Sequence, residues 1–193
     1  ELRTPVTILR GRLQGLVDGV FKPEPALFRN LLKQTEGLTN LIEDLRVVSS
    51  SGGAGYTLML SEVDLGTTIS NTLDTFSPDF EAKPFKIVTE LKHQPCICDA
   101  FRIIQCLTVI FDNALKYSTP GTILVKNGIE DGENFIIVED SGPGISEELQ
   151  KTLFQPFHRG EYAKHIHPEG CGLGLSVVKA IMLAHGGNVS HSL

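Results

Sequence analysis

Apolar residues recur at Leu2, Val6, Leu9, Leu13, Leu16 and Val20, at intervals of four, three, four, three and four. That spacing sets two apolar positions in each heptad and predicts a helix with a coiled-coil seam. Pro5 falls inside the pattern, where its missing backbone donor predicts a kink or a local start. The run Phe21-Lys22-Pro23-Glu24-Pro25 breaks the period and reads as a turn. The three-and-four alternation resumes at Phe28, Leu31, Thr35, Leu38, Ile42 and Leu45. Gly37 weakens that second helix by ~1 kcal/mol relative to alanine without erasing its period. Two amphipathic helices joined by a short loop predict an all-α antiparallel hairpin. Such a hairpin has too little core to stand alone. A second copy would complete a four-helix bundle; packing on the rest of its own chain is the alternative.

The stretch Ser49-Ser50-Ser51-Gly52-Gly53-Ala54-Gly55 has the composition of a flexible linker. The organisation read from the chain is therefore a hairpin over 1–50, a linker over 51–57 and a second domain over 58–193. That second domain reads as strand Leu58–Leu60, helix Leu65–Phe76, strand Lys86–Leu91, strand Cys96–Cys98 and helix Ala100–Tyr117. Strands Thr122–Lys126 and Asn134–Glu139 follow, then a helix from Glu147 and a last helix Leu175–His185. This mixture predicts an α+β sandwich, one sheet covered on one face by helices. Both ends of the chain look cut from something longer: Glu1-Leu2-Arg3-Thr4-Pro5 reads as mid-helix, and the chain stops at Ser192-Leu193.

The 193 residues carry a net charge of -6, with 41% hydrophobic and 21% charged residues. That balance excludes a general binder of nucleic acid or membrane surfaces, which needs a basic face. No run reaches the ~20 apolar residues of a membrane span. Cys96 and Cys98 stand on one face of a strand, and with Cys106 and Cys171 they read as reduced thiols rather than a zinc knuckle.

Three segments carry candidate chemistry. Asp140-Ser141-Gly142-Pro143-Gly144-Ile145 follows an apolar strand. Its glycines permit a tight turn and close backbone approach to a planar ligand. A carboxylate buried there accepts a hydrogen bond from an exocyclic amine such as that of adenine; alone, the segment also reads as a plain turn. Gly170-Cys171-Gly172-Leu173-Gly174-Leu175 precedes an apolar-periodic helix. Alternating glycines at a helix start expose amides to a phosphate. A dinucleotide fingerprint fits poorly, because the motif follows a loop rather than the first strand of a βαβ unit. In Asp112-Asn113-Ala114-Leu115-Lys116-Tyr117-Ser118, Asn113 and Lys116 share a helix face. They suit Mg²⁺ and phosphate, or simply solvent.

In this order and spacing the three segments resemble the N, G1 and G2 boxes of the histidine-kinase catalytic domain. This is the GHKL or Bergerat ATPase fold, shared with gyrase, a heat-shock chaperone and MutL-type proteins. Phe154-Gln155-Pro156-Phe157-His158-Arg159 resembles the F box, and Gly160–Glu169 then corresponds to the ATP lid. Asp99 and Arg102 resemble the usual approach to the N box. Glu-Leu-Arg-Thr-Pro is similar to the residues directly after the acceptor histidine in the H box of the largest histidine-kinase class, and the resemblance covers essentially the whole chain.

The resemblance implies a two-component signalling kinase with ATP and Mg²⁺ as cofactors. A histidine just before Glu1 would attack the γ-phosphate, Glu1 would orient its proton, and Thr4 would position water for phosphatase action. Asn113 would ligate Mg²⁺, Lys116 would contact phosphate, and Tyr117 would wall the adenine. Asp140 would accept from the adenine amine, with Gly142, Gly144 and Ile145 shaping the pocket. Arg159 would reach the γ-phosphate, while Gly170, Gly172, Leu173, Gly174 and Leu175 would hold the lid end and phosphates. It further implies a homodimer, a response-regulator receiver domain as partner, and a cytoplasmic fragment of a bacterial inner-membrane sensor.

Two positions depart from the family pattern. Val109 stands where a second Asn is usual and cannot ligate metal, and Cys171 replaces a common Ser or Thr. The Val109 departure keeps a second class open, a non-kinase regulatory module that binds Mg-ATP weakly. A molecular-clamp ATPase is disfavoured, since the general-base glutamate of those proteins would stand at Val109. His165 and His167 raise a metal site, against which a solvated loop is the simpler reading.

Overall fold

The computed structural model describes residues 3–50, 57–168 and 170–191. Its contacts divide the chain into two compact units, Glu1–Ser49 and Ser50–Leu193. Residues 51–56 of the expected linker lie outside the described residues, as do Glu1 and Leu2.

The first unit holds α1 (Arg3–Val17) and α2 (Pro25–Ser50). Pro5 lies within α1, and the helix runs on beyond it through Val17. Gly19, at φ 71, turns the chain after α1. Arg12 Nη1 donates to Asn30 Oδ1 at 2.6 Å and ties the two helices together. Of the seam residues, Leu31 is buried, whereas Val6, Leu13, Val20, Phe28 and Ile42 are exposed in the single chain.

In the second unit the order is β1 (Ser61–Asp64), α3 (Leu65–Glu81), β2 (Lys86–Glu90), β3 (Pro95–Cys98), α4 (Ala100–Tyr117), β4 (Thr122–Glu130), β5 (Glu133–Glu139), α5 (Glu147–Gln150), α6 (Glu161–Ile166) and α7 (Gly174–Ala184). The expected single sheet is two pieces among the described residues. β1 pairs antiparallel with β3, while β4 lies between parallel β2 and antiparallel β5. The first strand lies at Ser61–Asp64 rather than Leu58–Leu60, because its partners are Pro95–Cys98. Local apolarity at 58–60 was a poorer guide than the register.

α3 begins at Asp64, whose side chain caps Gly66 N and accepts Thr67 Oγ1 at 2.6 Å and Gln94 N at 2.6 Å. The Gln94 N–H, followed by the Thr67 hydroxyl, holds the Asp64 carboxyl well below the usual carboxylate range. The helix runs past the expected end at Phe76, through Pro78, to Glu81. The continuation is held by packing: Phe80 meets Phe85 and Phe111 edge-on, at 6.0 and 6.4 Å between ring centres.

α4 is amphipathic, and Ile103, Cys106, Leu107, Phe111, Ala114 and Leu115 form its buried face. They meet Leu65 and Ile69 of α3 and Ile123 and Val125 of β4 in one core. Burial pushes the thiols of Cys98 and Cys106 up to about 12, so both are unreactive at neutral pH. Buried Asn127 ties β4 to the loop between β2 and β3. Its Oδ1 accepts from Lys92 N at 2.9 Å and its Nδ2 donates to Lys92 O at 3.0 Å.

Candidate active site

The candidate residues converge on the solvent side of the second half of α4. Val109, Asn113 and Tyr117 follow at intervals of four and so share one helix face. A Cβ on Gly174, the first residue of α7, would lie 2.9 Å from Val109 Cγ1, so the glycine segment is seated against α4. At the other end of α4, a Cβ on Gly142 would lie 3.7 Å from Ser118 Cα. Between these, the Tyr117 ring meets His167 edge-on at 5.9 Å.

The loop after β5 is built by its own side chains. Asp140 Oδ1 accepts from Gly142 N at 2.7 Å. A Cβ on Gly142 would stand 2.5 Å from that same oxygen, so a side chain there would displace the Asp140 carboxylate from this contact. Gly144 has φ 75, which also favours glycine. Ser141 Oγ accepts from Thr122 N and donates to Thr122 O, both at 3.0 Å, and Thr119 Oγ1 donates to Ser141 O. Asp140 is exposed rather than buried as expected, because β5 ends at Glu139 and the carboxylate belongs to the loop beyond it, turned onto Gly142 N. Ile145 is half-buried, and its carbonyl accepts from Gln150 Nε2 at 2.9 Å.

The glycine segment leads into α7, and Leu173 precedes the helix without making a side-chain cap. By contrast, α3, α4 and α5 are capped by Asp64, Asp99 and Ser146. The first amides of α7 therefore receive no cap from the Leu173 side chain, as is also true of α6 behind Gly160. Leu173 is buried, Leu175 half-buried, and Gly172 takes φ 69. Gly172 O accepts from Phe157 N at 2.9 Å, and Phe157 itself adopts φ 64. The F-box segment and the glycine segment are thus one hydrogen-bonded unit.

Three charged or polar candidates stand in arrangements the sequence did not show. Lys116 Nζ is paired with Asp112 Oδ2 one turn back. Asn113 is half-buried, and its amide oxygen has no hydrogen-bond partner among the described residues. Arg159 points into the lid rather than outward. Its Nη1 donates to Gly170 O at 2.7 Å and Pro168 O at 3.3 Å, and its Nη2 donates to Ala163 O at 2.6 Å and to His167 O. The lid, expected as a plain loop, contains α6, whose carbonyls this guanidinium gathers. Thr4 lies in α1, whereas Glu1 and Glu169 lie outside the described residues.

Sequence reasoning missed His185. Asp99 N–H donates to His185 Nε2 at 3.0 Å, so the ring hydrogen sits on Nδ1 and donates to Ile181 O at 2.8 Å. This imidazole locks the end of α7 to the start of α4 and so holds the glycine segment in register with Asn113. A phenylalanine at 185 fills similar space but leaves the Asp99 N–H without its acceptor. His185→Phe is expected to cost about 1–3 kcal/mol in urea unfolding. A histidine closing an apolar helix was the only signal in the sequence.

The family described as "Histidine kinase-, DNA gyrase B-, and HSP90-like ATPase" matches residues 98–192, which include α4, the Asp140 loop and the glycine segment. The signal transduction histidine-protein kinase BaeS of Escherichia coli is 30% identical over 98% of this chain, covering 41% of its own length. The sensor protein RstB of the same organism is 34% identical over 98% of this chain and 43% of its own. The chain thus spans about two fifths of these relatives. The solved structure of the Acinetobacter baumannii histidine kinase AdeS superposes with a TM-score of 0.79 at 38% identity, over 95% of this chain and 86% of that one. The ATPase-like α+β unit, the seat of the glycine segment on α4 and these likenesses agree: the chain belongs to the histidine kinases and carries their GHKL-type catalytic domain.

Proposed function

We propose that the unit Ser50–Leu193 binds ATP against α4 and donates its γ-phosphate to a histidine preceding Glu1, for onward transfer to an aspartate of a response regulator. The observation that carries this reading is the uncapped start of α7, approached through glycines and seated on α4. Amides there meet phosphate oxygens, and the helix dipole adds partial positive charge. Asp140 would accept the adenine amine, Tyr117 would flank the base, and Gly142, Gly144 and Ile145 would shape its pocket. The half-buried, unengaged amide of Asn113 fits a Mg²⁺ ligand, and the ion would neutralise phosphate charge. Lys116 would exchange Asp112 for phosphate. In the helical unit, Thr4 would position water for dephosphorylation and Glu1 would orient the acceptor histidine.

The exposed seam residues Val6, Leu13, Val20, Phe28 and Ile42 support a homodimer through α1 and α2. No helix among the described residues is long and apolar enough to cross a membrane. Attachment to an inner membrane would come from other segments of the parent protein, with this part on the cytoplasmic side.

A second reading rests on Val109, whose methyl lies where a Gly174 side chain would stand and which offers no metal ligand. It makes the chain a regulatory module with weak Mg-ATP affinity. Calorimetry with a non-hydrolysable ATP analogue and MgCl2 separates the two. On the kinase reading the chain binds, and Asp140→Asn weakens binding about 10- to 100-fold through loss of a charged acceptor. Equal affinity in the mutant would remove Asp140 from the adenine site.

A further inference from the structure

The described lid residues, 160–168, fold back on themselves and toward Tyr117. Arg159 is half-buried, and its two terminal nitrogens engage four backbone carbonyls, those of Ala163, His167, Pro168 and Gly170. Gly170 lies close against it, where a Cβ would stand 3.1 Å from the guanidinium carbon. The chain is turned further by His167 N–H, which donates to Ala163 O at 3.1 Å, and by Gly170 N–H, which donates to His167 O at 3.2 Å. This folding brings the lid into an aromatic contact with α4: the His167 and Tyr117 rings stand in a T-shaped pair, 5.9 Å between centres and 86° between planes.

We propose that His167 is an internal occupant of the Tyr117 face, and that Arg159 is the latch that holds it there. The proposal rests on the nucleotide reading above, in which that face receives a base. One ring face cannot hold an imidazole edge and a stacked base together. One guanidinium cannot satisfy four carbonyls and a phosphate together. Binding therefore displaces both contacts, and the lid opens at the cost of its own hydrogen bonds. The free energy of the latch is subtracted from nucleotide affinity, so a lid that lacks the occupant binds more tightly. His167 sets the threshold concentration at which the site fills.

The test compares the full chain with His167→Ala, using a non-hydrolysable ATP analogue with MgCl2 as the titrant. An edge-on aromatic contact has a strength that converts to about a 3- to 10-fold change in the equilibrium. His167→Ala is expected to tighten binding by that factor and to speed association. His167 is half-exposed, so the variant keeps the fold. Unchanged or weaker binding by His167→Ala, with normal binding by the parent chain, overturns the latch and leaves the nucleotide site standing. Absence of binding in both overturns the site and the latch together. A second readout needs no nucleotide. The His167 ring protons in the NMR spectrum should carry a ring-current shift that vanishes in Tyr117→Leu, and shifts unchanged by that substitution also overturn the contact.

Discussion

Phe111→Ala is expected to lose about 3–5 kcal/mol of stability, the usual cost of emptying a buried aromatic site. Phe111 is fully buried in the middle of α4 and is the residue on which the aromatic cluster closes. Phe76 meets it at 5.7 Å and 74°, and Phe80 at 6.4 Å and 77°. These rings come from α3, so the substitution separates the two helices that back the sheet. The cavity cannot collapse easily, because α4 is also held at its start by Asp99 and near its end by Lys83, which donates to Leu115 O. Urea unfolding with far-ultraviolet circular dichroism checks the value. A loss under about 1 kcal/mol, far below the usual cost of such a cavity, would show that the cluster does not organise the core.

Gly66→Ala is the second large effect, expected near ~3 kcal/mol, at the upper end for overpacking. A Cβ at this position would stand 2.2 Å from Lys92 O. That carbonyl has no room to retreat, since buried Asn127 holds the Lys92 N–H and C=O together. Gly66 N–H also donates to Asp64, so a shifted helix start disturbs the cap. The same unfolding experiment reads the loss. Asn127→Ala in the background of Gly66→Ala should then cost less than it does alone, because the pin that causes the clash has been removed.

Much of the second unit was legible along the chain. The helix Ala100–Tyr117 was read at both ends, since Asp99 is a strong N-cap and the apolar period persists along its whole length. β2, β3, β4 and β5 were recovered with boundary shifts, because their apolar runs are bounded by turn residues. The first strand and the end of α3 were misread. Both depend on distant partners: Ser61–Asp64 is a strand only because Pro95–Cys98 lies alongside, and α3 survives Pro78 because Phe80 is drawn into the core. α6 is six residues long and too short to announce itself by periodicity.

The candidate site divides in the same way. Glycine spacing, the Asp140 turn and the Asn113–Lys116 face are local features, and local steric and hydrogen-bonding rules made them visible. Their gathering on one side of α4 needed the fold, because Gly142 and Gly174 reach that helix from elements far apart along the chain. The charged groups were least legible. Lys116 is paired with Asp112, Arg159 is folded into the lid and exposed Asp140 accepts from Gly142 N, since polar side chains settle on whatever donors, acceptors or water the fold brings near.

The amino-acid sequence by itself determined the family, the helical periods and the residue types that a nucleotide site requires, because each rests on spacing within a few turns or strands. Only the tertiary structure decided that His185 locks α7 to α4, that Val109 is the seat of Gly174, and that His167 stands on Tyr117. Those contacts join residues whose proximity is set by packing of the shared core, and no local rule encodes it.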